Sequence, residues 1–247
     1  KPSTGFVRGA AMHKTSDMEI ADPAALYADA RSKAIDIFRS LSEAEAGAPV
    51  PLNPAWRLVD VAAHVCGIVD DVLHGNVDGL GTDAWTAAQV DKRAGLSVAT
   101  ICDEWEGYSE RVDQMVAGNP FFGVRITGDL IIHIHDVQHA LGLKVDQGDV
   151  ATRAAADRYA PSLQERAMEQ MQLGIALRLT DGDRYPEPEG ATSTIGLRCS
   201  SYDFLRSVTG RRSRRQVAAL DWDGDPTALL DGAWNTYGPM PDDDVSI

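Results

Sequence analysis

Cysteine is scarce: three residues in 247, Cys66, Cys102 and Cys199, odd in number and far apart. This excludes a disulfide framework and a thiolate zinc knuckle, and it leaves reduced thiols in a cytoplasmic setting. Long apolar runs are missing too, since none approaches the roughly 20 residues of a membrane helix. The sequence therefore reads as a soluble protein with no membrane partner. Positive charge is in short supply: 37 acidic residues face 23 basic ones, for a formal charge of −14. That excludes a broad cationic face for nucleic acid or anionic lipid. Neither a glycine-rich phosphate loop nor a Gly-x-Ser-x-Gly elbow occurs. Lys1 to Ala11 lacks the apolar centre of a signal peptide and reads as a remnant ahead of Met12, which stands where a native start would.

What is present is a globular composition, 44% hydrophobic and 24% charged, in a chain long enough for one large or two modest domains. Asp22-Pro23 is an N-cap and first-turn pair, and Leu26, Ala30, Ala34, Ile37 and Leu41 follow at helical spacing until Gly47. After a loop from Pro49 to Pro54, a second stripe runs through Leu58, Val61, Val65, Ile68 and Val72 and frays near Gly75, with His64 along its edge. Ser97 caps a third long helix carrying Ile101, Trp105, Tyr108, Val112 and Met115, ended by Gly118-Asn119-Pro120, with an acidic outer face. The fourth, from about Val124 to Leu141, is apolar on more than one face and is expected to be the most buried. Residues 12–145 thus read as an antiparallel four-helix bundle.

From Asp146 the texture changes to an alanine-rich helix and then to short alternating runs. Ile175 to Leu179 and Thr194 to Arg198 are strand candidates around the turn Thr180-Asp181-Gly182-Asp183. Ser201 to Val208 and Pro226 to Trp234 are short helix candidates. Residues 146–247 form a small α+β domain, with a tail from Pro239 through Asp244 expected to be disordered.

The chemistry concentrates in Gly128 to His139, where three of the six histidines lie within seven positions. On a helix Asp129 and His133 project from one face, beside the stripe that faces the bundle core, and polar groups aimed there need a partner. His64 on the second helix can supply it. Two imidazoles and a carboxylate from facing helices make a three-ligand site with open positions, the arrangement of catalytic zinc, so a divalent metal is the inference. The spacing equally allows hydrogen-bonded core histidines, His64 with Asp60 one turn earlier. His135 and His139 form a second pair four apart, turned about 200° from the first; it lacks a third ligand and suits surface or supporting roles, and Asp136 could orient a ligand imidazole.

Gly210-Arg211-Arg212-Ser213-Arg214-Arg215 gathers four guanidinium groups, read either as a solvated turn balancing nearby acids or as a clamp for carboxylate or phosphate. One short basic run without interleaved aromatics does not make a nucleic-acid site. Asp221 to Pro226 fails as a calcium loop, because its glycine comes two positions early and Gly232 stands where the bidentate glutamate belongs. It reads as a turn into the next helix. Cys66 and Cys102 sit on apolar-rich helices as packing residues.

Trp56-Arg57-Leu58-Val59-Asp60-Val61-Ala62-Ala63-His64-Val65 resembles the first-ligand segment of a known family, and Asp129-x-x-x-His133-x-x-Asp136 followed by Ala140-Leu141-Gly142 resembles its second. Arg93-x-x-Leu96-Ser97, then Trp105, and Leu205-x-x-x-Thr209-Gly210-Arg211 are similar to it as well. The family is the mycothiol-dependent maleylpyruvate isomerase group of the DinB-like superfamily, common in actinobacteria. The resemblance implies a mainly α, DinB-like four-helix bundle followed by a small α+β domain with a cleft between them. It implies metal ligands His64, Asp129 and His133, where the isomerase pattern has glutamate in place of Asp129, and Arg211 as the match for a catalytic arginine. It further implies a divalent metal, zinc, with a low-molecular-weight thiol such as mycothiol as cosubstrate. In such a site the thiol ionises at neutral pH and attacks an electrophilic small molecule, giving cis-trans isomerisation or S-transfer. Two other readings stay open, a hydrolase using metal-bound water and a non-catalytic helical module. Oligomeric state is not legible.

Overall fold

A computed structural model describes residues 22–245; Lys1–Ala11, expected to be a remnant, and Met12, the expected start, lie outside the described residues. The chain is mainly α-helical, an antiparallel four-helix bundle followed by a small α+β part. The first bundle helix, α1 (Pro23–Arg39), starts where Asp22 Oδ1 accepts from Ala24 N. It stops at Ser40, before the expected Gly47. Ser42 and Glu45 form a reciprocal capping box, which nucleates a separate turn, α2 (Glu43–Ala46), in a new direction. The expected loop from Pro49 to Pro54 is part of a small antiparallel hairpin, β1 (Pro49–Val50) and β2 (Asn53–Arg57).

The second bundle helix is α3 (Leu58–Leu73). It has twelve buried residues of 16, against eleven of 21 in the later helix expected to be the most buried. Next comes α4 (Asp83–Lys92), which the sequence reading missed, capped by Thr82 and burying Trp85 and Gln89. The third long helix is two, α5 (Val98–Gly107) and α6 (Ser109–Gly118), broken after Gly107 where Tyr108 turns its hydroxyl to Asp70 and Glu104, each at 3.1 Å. Asn119 then caps α7 (Pro120–Ala140), which starts earlier than expected because Asn119-Pro120 opens a helix here as well as closing one. Both α1 and α3 pack on α5, α6 and α7.

The long α8 (Val150–Met171) packs on α7 and α1 on one side and on the C-terminal elements on the other. Beyond it lie β3 (Leu173–Leu179), β4 (Arg184–Tyr185), β5 (Ser193–Cys199), α9 (Ser201–Val208), α10 (Arg214–Ala218), β6 (Asp221–Asp223) and α11 (Thr227–Asp231). The strand order is β4-β3-β5-β6, with β3 and β5 parallel and the outer pairs antiparallel. Ile175, Leu177, Ile195 and Leu197 are buried while Arg178 and Arg198 are exposed, the period-two pattern of a sheet covered on one face.

Two expectations are corrected here. The turn from Asp221 contributes an edge strand before the last helix begins. The tail is docked: Asp244 accepts from Ser213 Oγ and Arg215, and Val245 exchanges two hydrogen bonds with the Gln216 side chain. No helix among the described residues is long and apolar enough to cross a membrane.

Candidate metal centre

His64, from the middle of α3, and Asp129 and His133, one turn apart on α7, converge. One ligand atom from each lies within 4.8 Å of the others. Asp129 Oδ2 is 3.5 Å from His64 Nε2 and 3.9 Å from His133 Nε2. The imidazoles meet edge to face with centroids 5.0 Å apart. Trp56, at the end of the hairpin, joins the group, stacked on His133 at 5.9 Å and edge-on to His64 at 5.1 Å. The spacing of the ligands foreshadowed none of the indole contact.

The electrostatics suit a cation. Burial opposes charge on Asp129, yet the His64 and His133 imidazoles beside it hold its carboxyl down to about 2. Burial pushes His133 down to about 4, with Asp129 pulling the other way, so at neutral pH a carboxylate faces a neutral imidazole. Asp129 Oδ2 is buried and has no hydrogen-bond partner. An ionised oxygen left so is costly, and a divalent ion between two imidazoles would relieve it. The residues fit such an ion, since nitrogen and carboxylate donors from three side chains with an open side make a catalytic set.

His64 is not held by Asp60, which instead accepts from Arg57. Its Nδ1 lies 2.8 Å from Gln89 Oε1. His135 is a core residue and not a surface one: it is 3% exposed and burial pushes it down to about 3. His139 is half-buried with Nε2 2.7 Å from Tyr202 Oη, and neither belongs to the metal group. Asp136 Oδ2 stays 3.9 Å from His133 Nδ1, too far for a hydrogen bond.

The buried Asp136 carboxylate instead joins the two parts of the chain, with Arg206 Nη1 at 2.8 Å from one oxygen and Arg211 Nη2 at 3.0 Å from the other. Burial opposes its charge, and these arginines hold its pKa far below the usual range. Arg211 also donates to Thr209 O at 2.7 Å. The four-arginine run is dispersed, with Arg214 on Asp231, Arg215 on Asp244 and Arg212 beside Tyr202.

The triad lines a cleft of about 650 Å³. Its lining includes the apolar Ile68, Trp85 and Phe122 and the polar Arg125, Arg158, Arg211, Tyr159 and Tyr237. Arg125 and Arg158 form no ion pair among the described residues, and Arg158 lies over the Tyr159 ring at 4.7 Å. The three cysteines are buried, with burial pushing their thiols up to about 12, 11 and 12 for Cys66, Cys102 and Cys199.

No family model matches the sequence, and no curated protein matches it. Two solved structures are similar to it. The crystal structure of the mycothiol-dependent maleylpyruvate isomerase shares 18% identity over 79% of this chain and 90% of that one, with a TM-score of 0.48. The crystal structure of a histidine-to-alanine mutant of it shares 17% over the same proportions, with a TM-score of 0.47.

Proposed function

We propose that this protein is a metal-dependent enzyme that brings a low-molecular-weight thiol of the mycothiol type to an electrophilic small molecule, as a cis-trans isomerase or an S-transferase. The observation that carries the reading is the unpartnered, buried Asp129 Oδ2 between two Nε2 atoms at the wall of an open cleft. His64, Asp129 and His133 would hold the ion, with zinc as the proposed metal. When bound, it lowers the pKa of a thiol at its open position so that thiolate is available at neutral pH.

The chain's own residues do the rest. With every cysteine buried and held as a thiol, the nucleophilic sulfur comes from outside. A cleft of this volume lies within the range of roughly 300–1,000 Å³ typical of small-molecule sites. Trp56 packs against both imidazoles. Arg125 and Arg158, without an ion pair among the described residues, offer guanidinium groups to an anionic end of the substrate. Arg211, among the residues lining the cleft, keeps a fixed orientation through Asp136 and Thr209.

Metal analysis of the purified protein combined with a thiol screen tests the reading. Bound divalent metal and turnover that requires an added thiol are expected. Turnover with water alone would make it a hydrolase, and failure to bind any divalent ion would leave a non-catalytic module.

A further inference from the structure

The helix that the sequence reading missed delivers one side chain to the metal centre. Gln89 on α4 is 2% exposed, and its Oε1 faces His64 Nδ1 at 2.8 Å while its Nε2 donates to Asp71 Oδ2 at 2.8 Å. Asp71, also buried, receives a second amide, Asn76 Nδ2, at 2.8 Å on its other oxygen. Gly67 lets the two helices meet, since a Cβ there would stand 2.5 Å from Gln89 Cβ and 2.7 Å from Cγ.

The hydrogen-bond chemistry has a direction. A carboxylate only accepts, so Asp71 takes the NH₂ end of the Gln89 amide and turns the carbonyl end to His64. A carbonyl also only accepts, so His64 must carry its proton on Nδ1 to satisfy it. The Nε2 lone pair is then left aimed at the space shared with Asp129 Oδ2 and His133 Nε2. A proton on Nε2 would instead meet Asp129 at the longer distance of 3.5 Å and set the Nδ1 lone pair against the Gln89 carbonyl.

We propose that Asp71 and Gln89 are positioning residues that fix the tautomer and ring orientation of His64, so that α3 presents a ligand-ready Nε2 before any ion arrives. This goes beyond the proposed function, resting on it only for what the lone pair is used for.

Long-range ¹H–¹⁵N NMR of the metal-free protein at pH 8 reads the tautomer of His64 directly, and competition with a chromophoric chelator reads Zn²⁺ affinity. The wild type is expected to show Nδ1–H. In Gln89→Met the Nε2–H form should appear, and in Asp71→Asn, whose amide can donate as well as accept, Gln89 is freed to turn over and the same form should appear. Each substitution should weaken Zn²⁺ binding by about 10- to 100-fold, the range for partners of metal-bound histidines. Should Gln89→Met fail to fold, the isosteric Asp71→Asn decides. A wild-type Nε2–H tautomer, or both variants keeping the wild-type tautomer, would overturn the proposal. If the wild type binds no Zn²⁺, the proposed function falls while the tautomer measurements still decide this inference.

Discussion

At the scale of single residues, position in the cluster separates the four histidines of the centre and its neighbourhood. His133→Ala should abolish metal binding and any metal-dependent turnover, whereas His139→Ala, which loses only a hydrogen bond to Tyr202, should keep most of both. Equal losses in metal content, measured by elemental analysis, would mean the wrong pair is assigned. The arginines separate in the same way. Arg158→Ala should raise KM for an anionic substrate with a smaller effect on kcat, because its guanidinium has no carboxylate of its own among the described residues. Arg211→Lys should lower turnover, since it keeps the charge but loses the paired contact with Asp136. Arg214→Ala and Arg215→Ala, exposed pairs, should change stability by no more than about 0.5 kcal/mol and leave kinetics alone.

At the scale of elements, the contact between α3 and α4 is the sensitive one. Gly67→Ala inserts a methyl group into the Gln89 side chain, and a displaced α4 should cost about 1–3 kcal/mol in urea denaturation. The helix was hard to read because its buried face consists of Trp85 and Gln89, a polar residue where the apolar repeat should be. Thr82, with its hydroxyl accepting from Trp85 N, was the available signal. The fusion of α5 with α6 in the sequence reading has a related cause. Their apolar repeat runs on through Tyr108, while the break is set by a hydroxyl that reaches across to Asp70.

At the scale of the whole molecule, Asp70 is the joint among α3, the end of α4 and the break between α5 and α6. Burial opposes its charge, but hydrogen bonds from Lys92, Arg93 and Tyr108 bring its carboxyl down to about 2. Its folded-state pKa lies below the ordinary carboxylate value, so the stabilisation is present above about pH 4 and is lost as pH falls towards 2. Thermal denaturation should show Tm falling across that window, and Asp70→Asn should flatten the fall while lowering Tm at neutral pH.

Local chemistry determined much of this protein. Helical spacing located α3 and α7, Asp22-Pro23 and Ser97 marked two helix starts, alternation marked β3 and β5, and four-residue spacing placed Asp129 and His133 on one face. These are properties of neighbours along the chain, and the periods of helix and strand express them directly. Only the tertiary structure decided who completes each group. Gln89, 25 residues from His64, replaces the expected Asp60, and Arg206, whose contact with Asp136 nothing in the chain announces, is buried on it. The docked tail and the reach of Trp56 over both imidazoles belong with these. A buried polar group takes whichever partner the packing of distant elements brings within about 3 Å, and that choice is made by the fold.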